Sequence, residues 1–115
     1  MKKIEEINTI TPEDKRLLSE LKQLITRYTK NAIILLYGSI ARGDRAPESD
    51  YDVLVLSRDP LSTREENAIR DAVYELELAY EVVISIMFYG LQQWDSPLVR
   101  VTPYHQNIEK EAVMI

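Results

Sequence analysis

Gly38-Ser39-Ile40-Ala41-Arg42-Gly43-Asp44-Arg45-Ala46-Pro47-Glu48-Ser49-Asp50-Tyr51-Asp52-Val53-Leu54-Val55 is a polar connection between two apolar runs, and it holds two of the chain's three glycines. Before it, Ala32-Ile33-Ile34-Leu35-Leu36-Tyr37 is too short for a buried helix and stops at Gly38, which reads as a strand apolar on both faces. After it, Asp52-Val53-Leu54-Val55-Leu56 has the same character and ends before Asp59-Pro60. Side chains alternate along a strand, so Asp50 and Asp52 point the same way, about 7 Å apart, within reach of one divalent cation. Magnesium takes carboxylate, water and phosphate oxygens, and such ions can hold a triphosphate for in-line attack at its α-phosphorus. Gly38 lets the backbone approach a phosphate without a Cβ in the way, and the Ser39 hydroxyl can donate to its oxygens. Arg42, Gly43 and Arg45 lie in the same connection, where the arginines could help with phosphate charge or pair with Asp44 and Glu48.

Working outward, Thr11-Pro12-Glu13-Asp14 reads as a helix start, with Thr11 as cap, Pro12 preset for the first position and acids near the positive end of the dipole. Leu17, Leu18, Leu21, Leu24, Ile25 and Tyr28 form a helical stripe, which predicts a helix over 12–30. Ser62-Thr63-Arg64-Glu65 is a capping box for a second helix with Ile69, Val73, Leu76 and Tyr80 inward. Val82 to Phe88 is a third strand, dense in β-branched residues. Later, Leu91 to Asp95 reads as one helical turn, Thr102-Pro103 as the cap of a short helix, and Val113-Met114-Ile115 as a segment pairing with a sheet edge. The order implies an α/β (α+β) fold, a small mixed sheet with helices packed on it, as a single domain over 1–115.

Composition narrows the chemistry. The 115 residues include no Cys, which excludes disulfides, thiolate metal sites and cysteine nucleophiles. The lone His105 cannot build a histidine-rich metal site and is expected at the surface; Trp94, Leu91 and Leu98 are expected as peripheral core. A net charge of -5 argues against a broad basic surface for duplex nucleic acid. No apolar run approaches a membrane span, and Met1-Lys2-Lys3-Ile4-Glu5-Glu6 turns acidic where a signal peptide would turn apolar, so a cytoplasmic setting is expected.

The stretch from Gly38 to Val55 closely resembles the signature of the minimal nucleotidyltransferases within the DNA polymerase β superfamily. The resemblance implies a glycine-serine turn that holds nucleotide phosphates (Gly38, Ser39, Arg42, Gly43 and Ser49) and an Asp-x-Asp pair (Asp50, Asp52) that binds Mg2+. It further implies transfer of AMP from ATP to a hydroxyl. Stand-alone members resembling this chain are antitoxins that bind HEPN-domain ribonuclease toxins and adenylylate them on a tyrosine, which makes such a toxin the expected partner and protein adenylylation the expected activity.

One departure stands out. The family's full site carries a third carboxylate on the next strand, whereas the third strand here offers only Glu81 at its start and Ser85 within. Parity puts these two on one face. Glu81 has the right charge and stands as the candidate third catalytic residue beside Asp50 and Asp52; Ser85 better matches the depth, and on that reading the third acid is lost. The alternative function is therefore a weakened nucleotide-binding or protein-binding module that neutralises its partner by contact. A small-molecule nucleotidyltransferase of the aminoglycoside type is disfavoured, since no second domain is available to shape a sugar pocket.

Overall fold

A computed structural model describes every residue from Met1 to Ile115. In chain order the elements are β1 (Lys2–Lys3), a 3-10 turn (Ile4–Glu6), α1 (Pro12–Tyr28), β2 (Ile33–Tyr37), α2 (Gly38–Arg42), β3 (Tyr51–Ser57), α3 (Thr63–Tyr80), β4 (Ile84–Gly90), α4 (Leu91–Trp94), α5 (Pro97–Arg100), α6 (Pro103–Glu111) and β5 (Val113–Met114). The strands form one mixed sheet in the order β1-β5-β2-β3-β4. β2 runs antiparallel to both β3 and β5, whereas β3 and β4 are parallel, as are β1 and β5. The α/β expectation holds, and β2 and β3 lie inside the sheet, which is why their sequences are apolar on both faces.

Local chemistry sets the helix starts. The Thr11 hydroxyl accepts from the Asp14 N–H at 3.0 Å while the Asp14 carboxylate accepts from the Thr11 N–H at 2.9 Å. Ser62 and Glu65 repeat the exchange at α3, so each helix has two of its otherwise unpaired amides satisfied at the outset. Thr102 caps α6 by accepting from the His105 N–H.

Two apolar layers follow from strand parity. On one face, Leu17, Leu18, Leu21 and Ile25 of α1 and Ile69 and Val73 of α3 pack on Ile34, Leu36, Val53 and Val55. On the other, Leu35, Leu54 and Leu56 meet Trp94, Ile108 and Ala112 from the helices that follow β4. Burying one such aliphatic side chain contributes about 1.5–3 kcal/mol, so both layers matter to stability. Asp52 shares the parity of Leu54 and Leu56 and so belongs to the second face.

Several expectations need correcting. The third strand covers Ile84–Gly90 and starts later than expected, because α3 ends on Glu81 in the left-handed conformation (φ 56°) and the chain needs two further residues to turn. Glu81 is therefore a helix cap and does not share a strand face with Ser85. The polar connection after Gly38 opens with α2. His105 is buried, stacked on Trp94 with ring centroids 4.3 Å apart, and Trp94 is itself a centre of the second layer. Leu98 is 83% exposed and contributes nothing to the core. β5 does pair at the sheet edge as expected, lying between the edge strand β1 and β2. No helix is long and apolar enough to cross a membrane.

Candidate active site

The site begins where β2 ends. Gly38 adopts φ 79°, which is open to glycine at no steric cost, and starts the single turn of α2. Gly43, at φ 86°, ends that helix and donates its N–H to the Ser39 carbonyl at 3.0 Å. The chain then loops back to β3, which pairs with β2 so that Tyr37 stands opposite Asp52. This register brings the Gly-Ser turn and the second acid together. A Cβ placed on Gly38 would collide with the Asp52 carboxylate.

A second link closes the loop. The Ser39 hydroxyl donates to the Ser49 hydroxyl at 3.0 Å, and Ser49 also accepts from the Ala46 N–H at 2.8 Å. Ser39 and Ser49, ten residues apart, thereby fix the distance between the turn and Asp50. Asp50 lies one residue before β3 and is exposed, while Asp52 is half-buried on the strand. Burial pushes the Asp52 carboxyl above its ordinary value, and the charge of Asp50 pushes it further; Arg42 opposes and Glu111 adds to the rise. The charges of the two carboxylates repel, and no cation is bonded to either. No group of three or more carboxylate or imidazole ligands is arranged around one point. Two carboxylates suit magnesium that arrives with a nucleotide, since that ion keeps its waters and takes phosphate oxygens for the rest.

The other candidates fall in three places. Arg42 is held between two acids, its Nε donating to Asp44 Oδ2 at 3.2 Å and its Nη1 to Glu111 Oε2 at 3.1 Å. Arg45 points the opposite way and forms a two-pronged ion pair with the buried Asp14; Tyr51 donates to the same carboxylate at 2.6 Å. Burial raises Asp14, but the bonds from Arg45, Tyr51 and the Thr11 N–H, with the charge of Arg45, outweigh it and hold the carboxyl at about 2. Arg45 thus fastens the loop to the start of α1, and its expected partners Asp44 and Glu48 do not engage it. Glu81 is exposed at the end of α3, beside a groove of about 570 Å³ also lined by Glu48, Ser49 and Val83. The residue across from Asp52 on β4 is Ser85.

Two features carry no signal that the sequence reading used. Glu111 reaches the turn from α6, its Oε1 accepting from the Gly38 N–H at 3.1 Å, although it is only one of three charged residues in a row. Tyr37 and Tyr104 share a hydroxyl hydrogen bond of 3.1 Å beside Asp52. Burial raises Tyr37, with the charges of Asp52 and Glu111 adding to the rise against the Tyr104 bond. The cap at Thr11 did point to Asp14, but only as a helix-start acid.

Comparison with known proteins bears on the family and the fold. The model of the nucleotidyltransferase domain family matches residues 14–112, from the buried aspartate of α1 through α6. A protein of Methanocaldococcus jannaschii named "Putative protein adenylyltransferase" is 33% identical over 75 residues, which cover 64% of this chain and 76% of that protein. Among solved structures, a toxin-antitoxin complex with AMP-PNP contains a chain that superposes with a TM-score of 0.56 at 18% identity, covering 84% of this chain and 69% of that one. A chain from the complex of a tri-AMPylated Shewanella oneidensis HEPN toxin with its MNT antitoxin gives a TM-score of 0.53 at 16% identity, over 87% of this chain and 69% of the other. At these identities the structural likeness establishes the shared fold.

Proposed function

This chain belongs to the nucleotidyltransferase domain family, and from that premise we propose that residues 1–115 act as one minimal domain that transfers AMP from ATP to a hydroxyl of a partner protein. The observation that carries the reading is the register of β2 on β3, which sets Gly38 against Asp52 with Asp50 next to it. Asp50 and Asp52 are the metal ligands in this proposal, and Ser39 with the amides at the start of α2 faces the phosphates. Bound magnesium would neutralise phosphate charge and polarise the α-phosphate. In the transfer, the acceptor oxygen bonds to the α-phosphorus while the bond from that phosphorus to the oxygen leading to the β-phosphate breaks, and pyrophosphate leaves. The hydroxyl proton passes to water or to a base on the acceptor, since Ser85 beside Asp52 supplies no carboxylate.

The partner is proposed to be a HEPN-type ribonuclease toxin, neutralised in the cytoplasm by adenylylation. Support comes from the relative named as a protein adenylyltransferase and from toxin-antitoxin complexes of the same fold. The test is transfer of label from α-phosphate-labelled ATP, with magnesium, to a HEPN-type ribonuclease of the same organism. Label on the partner that disappears with Asp50→Ala and with Asp52→Ala supports the proposal, and a partner left unlabelled by the wild type overturns it. A second reading, binding and contact neutralisation without efficient transfer, is favoured by one observation: Ser85 stands at the position facing Asp52. Neutralisation that persists in the absence of ATP would select it.

A further inference from the structure

The Gly-Ser turn is gripped from a distance. Glu111, the last residue of α6, accepts from the Gly38 N–H through Oε1 and from Arg42 Nη1 through Oε2, both at 3.1 Å. One carboxylate therefore binds the first and the last residue of α2, and its side chain is only 20% exposed. Gly38 carries one of the helix-start amides that lack an intrahelical acceptor, and a charged acceptor there makes a strong bond. Arg42 is meanwhile shared between Glu111 and Asp44. Its charge is answered on both sides, so binding a phosphate would require breaking an existing ion pair.

We propose that Glu111 is a positioning residue for nucleotide binding: it fixes the Gly-Ser turn through Gly38 and Arg42, and it leaves phosphate recognition to Ser39 and the following amides. The proposal rests on the nucleotide-binding reading above and deepens it. Gly38 and Arg42 thereby become parts of the frame and do not touch the ligand. The geometry explains how so short a helix, five residues, keeps a fixed orientation next to the metal seat. A free-standing turn of that length would fray.

The test joins two measurements on the full chain. The first is the amide spectrum of protein labelled with 15N-glycine, which has only three glycine signals, Gly38, Gly43 and Gly90. Glu111→Ala and Glu111→Gln should move the Gly38 signal without ligand and leave Gly90 in place. The second is calorimetric titration with magnesium and α,β-methylene ATP, which cannot be cleaved at the reacting bond. Glu111→Ala should weaken binding about tenfold or more, as should Arg42→Ala. Glu111→Gln keeps an acceptor for Gly38 and should fall between Glu111→Ala and the wild type. The double variant Glu111→Ala/Arg42→Ala should lie within about twofold of the weaker single variant, because both act through one contact. Wild-type affinity in Glu111→Ala, or an Arg42→Ala loss that persists in full when Glu111 is absent, would overturn the proposal and make Arg42 a phosphate ligand. Failure of the wild type itself to bind the analogue would instead sink the nucleotide reading, with the Gly38 signal still reporting the contact.

Discussion

The carboxylate of Asp52 fills the space in which a side chain on Gly38 would stand. The turn and Asp52 are therefore one packing unit, and glycine is required there for two reasons: the positive φ and the neighbouring acid. Gly38→Ala should cost about 1–2 kcal/mol from the backbone conformation alone. It should also displace Asp52 and weaken magnesium-dependent nucleotide binding about tenfold or more. Urea unfolding and calorimetry with the magnesium nucleotide check the two parts separately; unchanged affinity would show that the turn and the acid act independently.

Asp52 itself should trade stability for function. Its folded-state carboxyl lies above the ordinary value through burial and the charge of Asp50, so the folded chain holds the proton to higher pH than the unfolded chain does. Stability from this group is then present at low pH and declines as pH rises through that interval, and at neutral pH the ionised form disfavours folding. Asp52→Asn is expected to raise the melting temperature in metal-free buffer and to abolish magnesium-dependent nucleotide binding. A lower melting temperature in that buffer would contradict the electrostatic account.

Asp14 works in the opposite direction. Held at about 2 against an ordinary 3.8, it adds stability that is fully present above about pH 4 and is lost as pH falls towards 2. The shift of nearly two units corresponds to about 2 kcal/mol. Asp14→Asn should flatten the acid limb of a stability curve across that window, measured by urea midpoints at successive pH values. Arg45 is 26% exposed, so water takes over part of the lost pairing and Asp14→Asn should cost no more than about 2 kcal/mol at neutral pH. An acid limb identical to that of the wild type would remove Asp14 from the account.

For Glu81 the expectation is a gain on replacement. It holds a left-handed backbone conformation that glycine adopts freely, so Glu81→Gly should stabilise the chain by about 1 kcal/mol and leave the transfer rate intact. Ser85→Asp would add a carboxylate opposite Asp52 and should raise the single-turnover rate if a missing acid limits transfer. A large loss of transfer in Glu81→Gly, with folding preserved, would return Glu81 to the catalytic set.

The parts of this molecule visible in the sequence were those written in short-range patterns. The cap at Thr11, the capping box at Ser62, the stripe of α1 and the two-sided apolar strands each depend on residues a few positions apart, and each folds as read. The spacing from Ser39 to Asp50 likewise brought the turn and the two acids together, because the β2–β3 pairing closes that interval locally. What escaped depends on packing between distant segments. Arg45 gave no sign that its partner would be Asp14, and Glu111 looked like any acid near a helix end. His105 was misjudged because burial is decided by what stacks on a ring, here Trp94, and local polarity says nothing of that. Glu81 misled through parity, which applies only once a residue is on the strand.

The bond from Gly38 to Glu111 joins residues 73 positions apart. A ribosome therefore delivers the turn and both aspartates long before the residue that secures them. During synthesis, β2, β3, α3 and β4 can assemble around the two acids while α6 and β5 are still to come, and contacts of such separation form late. The nascent domain would hold Asp50 and Asp52 next to an unanchored turn. Competence for nucleotide should thus appear late in folding, and a ribosome-bound chain halted before α6 would have β2, β3 and β4 paired, lack β5, and be silent in its chemistry.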